Sequence, residues 1–314
     1  MRNKDLFVVG ELNVDLILNH IDGFPEMGSE KVASDMTITL GSSSAIFASN
    51  ISVLGTGTAF CGKIGKDDFG KLVIDSLSDK SVDTSSIVEA TASKTGLTVV
   101  MNYDQDRANV TYCGAMSEMS LEDIDWEEAS KYKHFHLSNY FLQKGLQKDI
   151  VKIFATAKEY GLSTSLDLQV DPDGQWDFDY KACLPHVDVF MPNKSELLGL
   201  SHAASVEEGI AVLEPYAKAI AVKMGTEGSL LAQNGERITA PVYSHKHFVD
   251  AIGAGDSFNA GFICKYIQGS SWEESLKYGN LMGALNTTGH GGTGAFSSFS
   301  DLKTNAQKIF KEDI

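Results

Sequence analysis

Basic residues are scarce in this sequence: 26 Lys and Arg stand against 42 Asp and Glu, a formal net charge of −16 over 314 residues. That balance excludes a nucleic-acid-binding surface, because neutralisation of phosphates by Lys and Arg supplies most of such affinity. It also constrains any polyanion site, whose positive potential must come locally from helix N-termini, backbone N–H groups, a metal ion or a few placed cations. Cysteine is rare too. Cys61, Cys113, Cys183 and Cys264 lie far apart without paired metal-ligand spacing, which argues against a zinc site or a disulfide framework and reads them as reduced, mostly structural thiols. No stretch approaches the roughly 20 uncharged apolar residues of a membrane span. Glu11, Asn13 and Asp15 interrupt what would be the apolar core of a signal peptide, so the expected location is the cytoplasm. Low-complexity segments, fixed-period repeats and Pro/Ser-rich linkers are also missing, and residues 1–314 read as one domain around one continuous core.

What is present is alternation. From about residue 130, strand-like runs (Tyr132 to Leu137, Leu162 to Leu168, Val187 to Met191, Ala219 to Met224) alternate with helical ones (Gly145 to Tyr160, Val206 to Ala217). Such alternation predicts βαβ units and an α/β fold with a parallel sheet covered on both faces. The N-terminal half differs: Val14 to His20, Val32 to Leu40, Thr95 to Tyr103 and Asn109 to Cys113 are strand-like without long intervening helices. The polar/apolar alternation of 37–40 and 109–112 suits half-exposed antiparallel strands. These runs form either a small separate sheet, a lid, or an extension of the main one.

The segment richest in chemistry is Val249-Asp250-Ala251-Ile252-Gly253-Ala254-Gly255-Asp256-Ser257-Phe258, a glycine-rich turn leading into a helix that runs to about Gln268. Glycines admit close backbone approach, and the first N–H groups of a helix lack internal partners, so the turn is an anion site. Asp256 sits beside it, placed to accept a proton from a hydroxyl nucleophile. Phosphoryl transfer needs positioning and charge stabilisation more than covalent catalysis, so this is a sufficient minimal apparatus. The competing reading is a tight turn with Asp256 favoured only by the helix dipole.

This run resembles the C-terminal signature of the ribokinase-like (PfkB) carbohydrate kinases. The resemblance implies that Asp256 is the catalytic base and that Gly253, Ala254 and Gly255 form an anion hole for the phosphate in transfer. Other segments match in the same order, over about residues 5 to 295. Gly10-Glu11-Leu12-Asn13-Val14-Asp15 resembles the first strand and turn, implying that Asp15 and Asn13 meet sugar hydroxyls. Cys61 to Gly70 is similar to a structural segment in which Asp67 or Asp68 starts a helix. Pro192-Asn193-Lys194-Ser195-Glu196 resembles the Asn-x-x-Glu motif, implying that Asn193 and Glu196 organise Mg²⁺ and phosphate, the Glu through water. Lys223-Met224-Gly225-Thr226-Glu227-Gly228 resembles the nucleotide-side turn, assigning Lys223, Gly225 and Gly228 to the nucleotide. Asn286 falls near the adenine, and the carbonyls of Asp250 and Ile252 on a monovalent-cation site for K⁺. Asn193 with Glu196 also fits a plain capping box, and Gly225 to Gly228 a plain hairpin turn.

The sequence departs from the family at Gly41-Ser42-Ser43-Ser44-Ala45-Ile46. Ser42 replaces the second of two glycines and Ile46 a sugar-contacting Asn, which leaves the substrate open. Gly41 and Ser42 remain on the sugar side, and Arg107 lies where the family often has a substrate-side Arg, although an exposed hairpin Arg is the commoner explanation. The resemblance thus implies a ribokinase-like three-layer sandwich with a parallel-rich sheet and a small β lid at about 12–39 and 94–115. It further implies an ATP- and Mg²⁺-dependent kinase acting on a free pentose, hexose or keto-deoxy sugar acid, and a homodimer. A nucleoside kinase on the same fold and a non-catalytic sugar-binding regulator are the alternatives. A nicotinamide dehydrogenase is disfavoured, since no Gly-x-Gly-x-x-Gly follows the first strand.

Overall fold

The first strand, Lys4–Gly10, carries a continuous apolar run from Leu6 to Val9, all of it buried, which demands cover on both sides of the sheet it enters. The computed structural model, which describes residues 4–103 and 107–314, shows that cover. Leu6 and Val8 pack with the helices Ser43–Val53, Asp68–Asp79, Ala254–Ile267 and Trp272–Asn286. Phe7 and Val9 pack into a second core built with Ile150–Glu159, Lys194–Ser201 and Val206–Leu213. Between the two helical layers lie eight strands in the order Glu236–Ala240, Ser229–Gln233, Ile220–Lys223, Val189–Phe190, Ser163–Asp167, Tyr132–Ser138, Lys4–Gly10 and Thr58–Cys61. The pairings from Ile220–Lys223 to Thr58–Cys61 are parallel, and only the pairings at the other edge are antiparallel. The expected helix over 145–160 is broken: Asp149 leaves the helical path (φ −109°, ψ 5°) and separates Lys144–Gln147 from Ile150–Glu159. Val187 to Met191 contributes only Val189–Phe190 to the sheet.

The N-terminal strands form a separate sheet, ordered Asp35–Leu40, Asn13–Asn19, Gly96–Asn102, Arg107–Tyr112. Both flanking pairs, which contain 37–40 and 109–112, are antiparallel as expected, while the central pair runs parallel. Residues 32–34 precede the strand they were expected to join. The lid span 94–115 includes positions 104–106, outside the described residues. Period-two alternation divides the sheet: Asn13, Asp15, Thr98, Val100, Asn109 and Thr111 line a cavity against the main body. Leu16, Ile38, Val99 and Val110, in one cross-strand row, occupy the opposite face. Asp67 ties the lid down. It caps the helix Asp68–Asp79 and accepts hydrogen bonds from Thr95 Oγ1 (2.7 Å) and Thr95 N (3.0 Å), just before the strand Gly96–Asn102.

Candidate active site

The helix Ala254–Ile267 begins at Gly253, whose φ of 74° is left-handed, and opens into a cavity of about 930 Å³ between lid and body. Gly253 has no room for a side chain, because Gly292 Cα and Ile46 Cγ2 already stand where a Cβ would project. Gly253, Ala254 and Gly255 all line the cavity, so the N-terminal end of the helix, the positive end of its dipole, opens there, while the Ala254 N–H donates to Ala251 O at 3.3 Å. Asp256, in that same turn, is 7% exposed. Burial and the nearby Asp167 carboxylate push its carboxyl well above the usual range, with Glu11 and Glu196 adding to the rise and Lys223 opposing it. A loose transition state does not require this elevation, so it is a property of the site beyond what the motif alone implies.

Three residues behind Asp256 were missed in the sequence: Asp167, Gln169 and Asn259. Asp167 ends the strand Ser163–Asp167, at the edge where α/β sheets present their functional side chains. That position is the signal that would have found it. It is fully buried and accepts from Lys223 Nζ at 2.6 Å and from the Asn259 amide, three residues beyond Asp256 on the same helix. Lys223, expected at the nucleotide, lines the cavity with its ammonium already paired in this wall. Its pKa is raised: burial opposes the charge, and Asp167, Glu196 and Asp256 outweigh it.

On the lid side, Asn13 and Asp15 line the cavity, joined by a 3.3 Å hydrogen bond from Asn13 Nδ2, which also donates to Thr98 Oγ1 at 2.7 Å. Burial pushes Asp15 up to about 6 despite Asn13 and the Arg107 charge. Gly41 does not line the cavity. It is the gap into which the Asp15 and Asn13 side chains fold, since a Cβ there would strike both. Ser42 lines the cavity at φ 71°, and its hydroxyl donates to Glu11 O (2.5 Å) while accepting from Ala45 N (3.0 Å). Arg107 is exposed but reaches the cavity wall. Glu11, unassigned in the sequence, is buried in the same wall. Desolvation lifts it to about 7 against hydrogen bonds from Ser44 and Asn139.

On the opposite side, Asn193 and Glu196 form the capping box in full: Glu196 accepts from Asn193 N (2.8 Å) and Nδ2 (2.6 Å), and returns its own N–H to Asn193 Oδ1 (2.9 Å). They line the cavity as well, so cap and cavity wall are one feature. Burial, then the Asp167 charge, raises Glu196. Gly225 (φ 58°) and Gly228 (φ 87°) form the turn between two antiparallel strands, and both line the cavity. Asn286 does not. The helix Trp272–Asn286 presents Asn280, Gly283 and Ala284 to the cavity, followed by Thr287, an i, i+3, i+4, i+7 stripe that excludes position 286. Asn286 is fully buried instead and donates to Ile252 O at 2.6 Å. The Asp250 carboxylate accepts from Ile252 N (2.9 Å) and Gly291 N (2.8 Å).

An anion-binding helix start with a carboxylate beside it, set in a cleft under a small sheet, is apparatus for moving a phosphoryl group. Over residues 3–298 the chain matches the sequence family described as pfkB family carbohydrate kinase, and it belongs to that family. An ATP-dependent ribose-1-phosphate kinase from Halopiger xanaduensis is 28% identical over 295 residues, 91% of this chain and 93% of its own. A 5-dehydro-2-deoxygluconokinase from Geobacillus thermodenitrificans is 23% identical over 325 residues, 97% and 94% of the two chains. The structure of an Arabidopsis thaliana ribokinase complexed with ribose and ATP superposes with a TM-score of 0.80 at 24% identity, covering 95% of this chain and 97% of that one.

Proposed function

We propose that this carbohydrate kinase transfers the γ-phosphate of ATP to a hydroxyl of a free sugar or sugar acid, with Asp256 as the base. The observation that carries this is the placement of the Asp256 carboxyl in the first turn of the helix whose N-terminus opens into the cavity. The acceptor lies under the lid against Asn13, Asp15 and Glu11. ATP lies toward Gly225, Gly228, Gly283 and Ala284, its γ-phosphate at the helix start formed by Gly253 to Gly255. Asp256 takes the hydroxyl proton as the new P–O bond forms, and the helix start holds the charge on the phosphoryl oxygens. Mg²⁺, when bound, neutralises phosphate charge. Glu196 fits it through a water, since both carboxylate oxygens already accept from Asn193. Potassium fits less well: the Ile252 carbonyl is engaged by Asn286, and no step is routed through that ion.

The cavity favours acceptors without phosphate. Glu11, Asp15 and Asp256 surround the acceptor's place; among the described lining residues the Lys and Arg side chains are Arg107 at the lid and Lys223, which is paired with Asp167. A sugar phosphate carries close to two charges and is normally met by several placed cations; a single carboxylate opposite Arg107 is compatible. The reading carries a cytoplasmic location, where ATP is at hand, and a homodimer through the outer face of the lid.

The test is ADP release by wild type and Asp256→Asn over free sugars, sugar acids, nucleosides and sugar phosphates. A free sugar or sugar acid should be preferred. The variant should fold and bind ATP but lose at least about 10²–10⁴-fold in turnover. Near-normal turnover in the variant would remove Asp256 as the base, and a tenfold preference for a sugar phosphate would overturn the charge argument.

A further inference from the structure

Gln169 belongs to no motif recognised in the sequence, yet it touches the reactive carboxylate. It follows the strand Ser163–Asp167 by two residues and adopts φ 60°, a left-handed conformation uncommon for a side chain of its kind. That turn closes on Asp167: Gln169 N donates to Asp167 Oδ1 at 3.2 Å, and the side chain folds back toward the helix start. Its Nε2 then stands 3.1 Å from Asp167 Oδ2 and 3.1 Å from Asp256 Oδ1. A primary amide nitrogen has two N–H bonds, and here there is one for each carboxylate.

We propose that Gln169 is a positioning residue for Asp256, its amide bridging the Asp167 and Asp256 carboxylates so that one oxygen of the base is pinned and the other is left for the acceptor hydroxyl. Asp167 itself is unsuited to be the base. Its two oxygens accept from Gln169 N, Gln169 Nε2, Lys223 Nζ and Asn259 Nδ2, so both are already occupied and neither is open to an acceptor hydroxyl. Asp256 Oδ1 is held by Gln169, whereas Oδ2 accepts no hydrogen bond from the described residues. The groups acting on Asp256 are Asp167, Glu11 and Glu196, which resist its ionisation, and Lys223, which favours it. The Lys223 ammonium is bonded to Asp167 and Asn259, so the direct donor to the base is the Gln169 amide. Without it, two buried carboxylates face each other with no shared proton donor, and Asp256 holds its proton to higher pH.

The inference rests on Asp256 as base, so its experiment reads that carboxyl by itself as well as through turnover. Infrared difference titration, with Asp256→Asn subtracted to isolate the band, is run on wild type, Gln169→Met and Gln169→Glu beside the pH dependence of kcat/KM. Gln169→Met keeps length and removes the donor. Gln169→Glu keeps the shape and adds a third carboxylate. In both, the Asp256 band should titrate at higher pH than in wild type, and the activity deficit should be at least about tenfold larger at pH 6 than at pH 9. An unmoved band with a deficit equal at every pH would reduce Gln169 to a structural turn residue. If Gln169→Met does not fold, Gln169→Glu carries the same comparison. If the wild type phosphorylates no acceptor, the functional reading fails while the infrared titration still decides the bridge.

Discussion

Ser42 shows how a residue-level departure from a family pattern acquires a physical meaning. Its φ of 71° is where glycine is at ease and a Cβ is strained, at a cost of about 1–3 kcal/mol. The hydroxyl offsets the strain by bonding Glu11 O and capping the helix Ser43–Val53. Ser42→Gly should therefore stay within about 1 kcal/mol of wild type, while Ser42→Ala, which keeps the strain and loses both bonds, should fall by about 1–3 kcal/mol. Urea denaturation of the pair checks this; equal losses would mean that strain plays no part. Ile46 is the companion case. Its side chain fills the space that a Cβ on Gly292 would need, which accounts for the glycine at that position. Neither relation was legible in the sequence, because each joins positions far apart in the chain.

At the scale of elements, legibility followed the reach of the signal. The helix from Ala254 and the capping box at Asn193 were readable because glycine freedom and end-capping act over a few residues. Asp167, Gln169 and Asn259 were not, because their contacts form only when the Ser163–Asp167 strand end meets the Ala254–Ile267 helix. Asn286 was misplaced by one helical step, its neighbours Asn280, Gly283, Ala284 and Thr287 taking the cavity face. Glu196 is where local and functional readings coincide, and they separate by experiment. Glu196→Gln retains a capping group, so stability should hold within about 1 kcal/mol, while the magnesium concentration for half-maximal rate should rise and kcat should drop. A magnesium titration superimposable on wild type would leave Glu196 as a helix cap alone.

At the scale of the molecule, the separate lid sheet leaves its outer face bare: Met36, Ile38, Val110 and Tyr112 are 57%, 42%, 61% and 54% exposed. In the proposed homodimer this row of apolar strand residues, open to water, would be the surface that meets a second copy of the same sheet. Sedimentation velocity at micromolar concentration should give twice the chain mass, and Ile38→Asp combined with Val110→Asp should give a monomer; a monomeric wild type would overturn the dimer. One sheet would then carry the proposed acceptor residues Asn13 and Asp15 on one face and the proposed intersubunit seam on the other. In such a dimer, ordering one face would order the other, and the two equilibria would be linked and reciprocal. Acceptor would tighten the pairing of subunits, and dilution would weaken the hold on acceptor while leaving that on ATP nearly unchanged, making the enzyme a gauge of its own concentration.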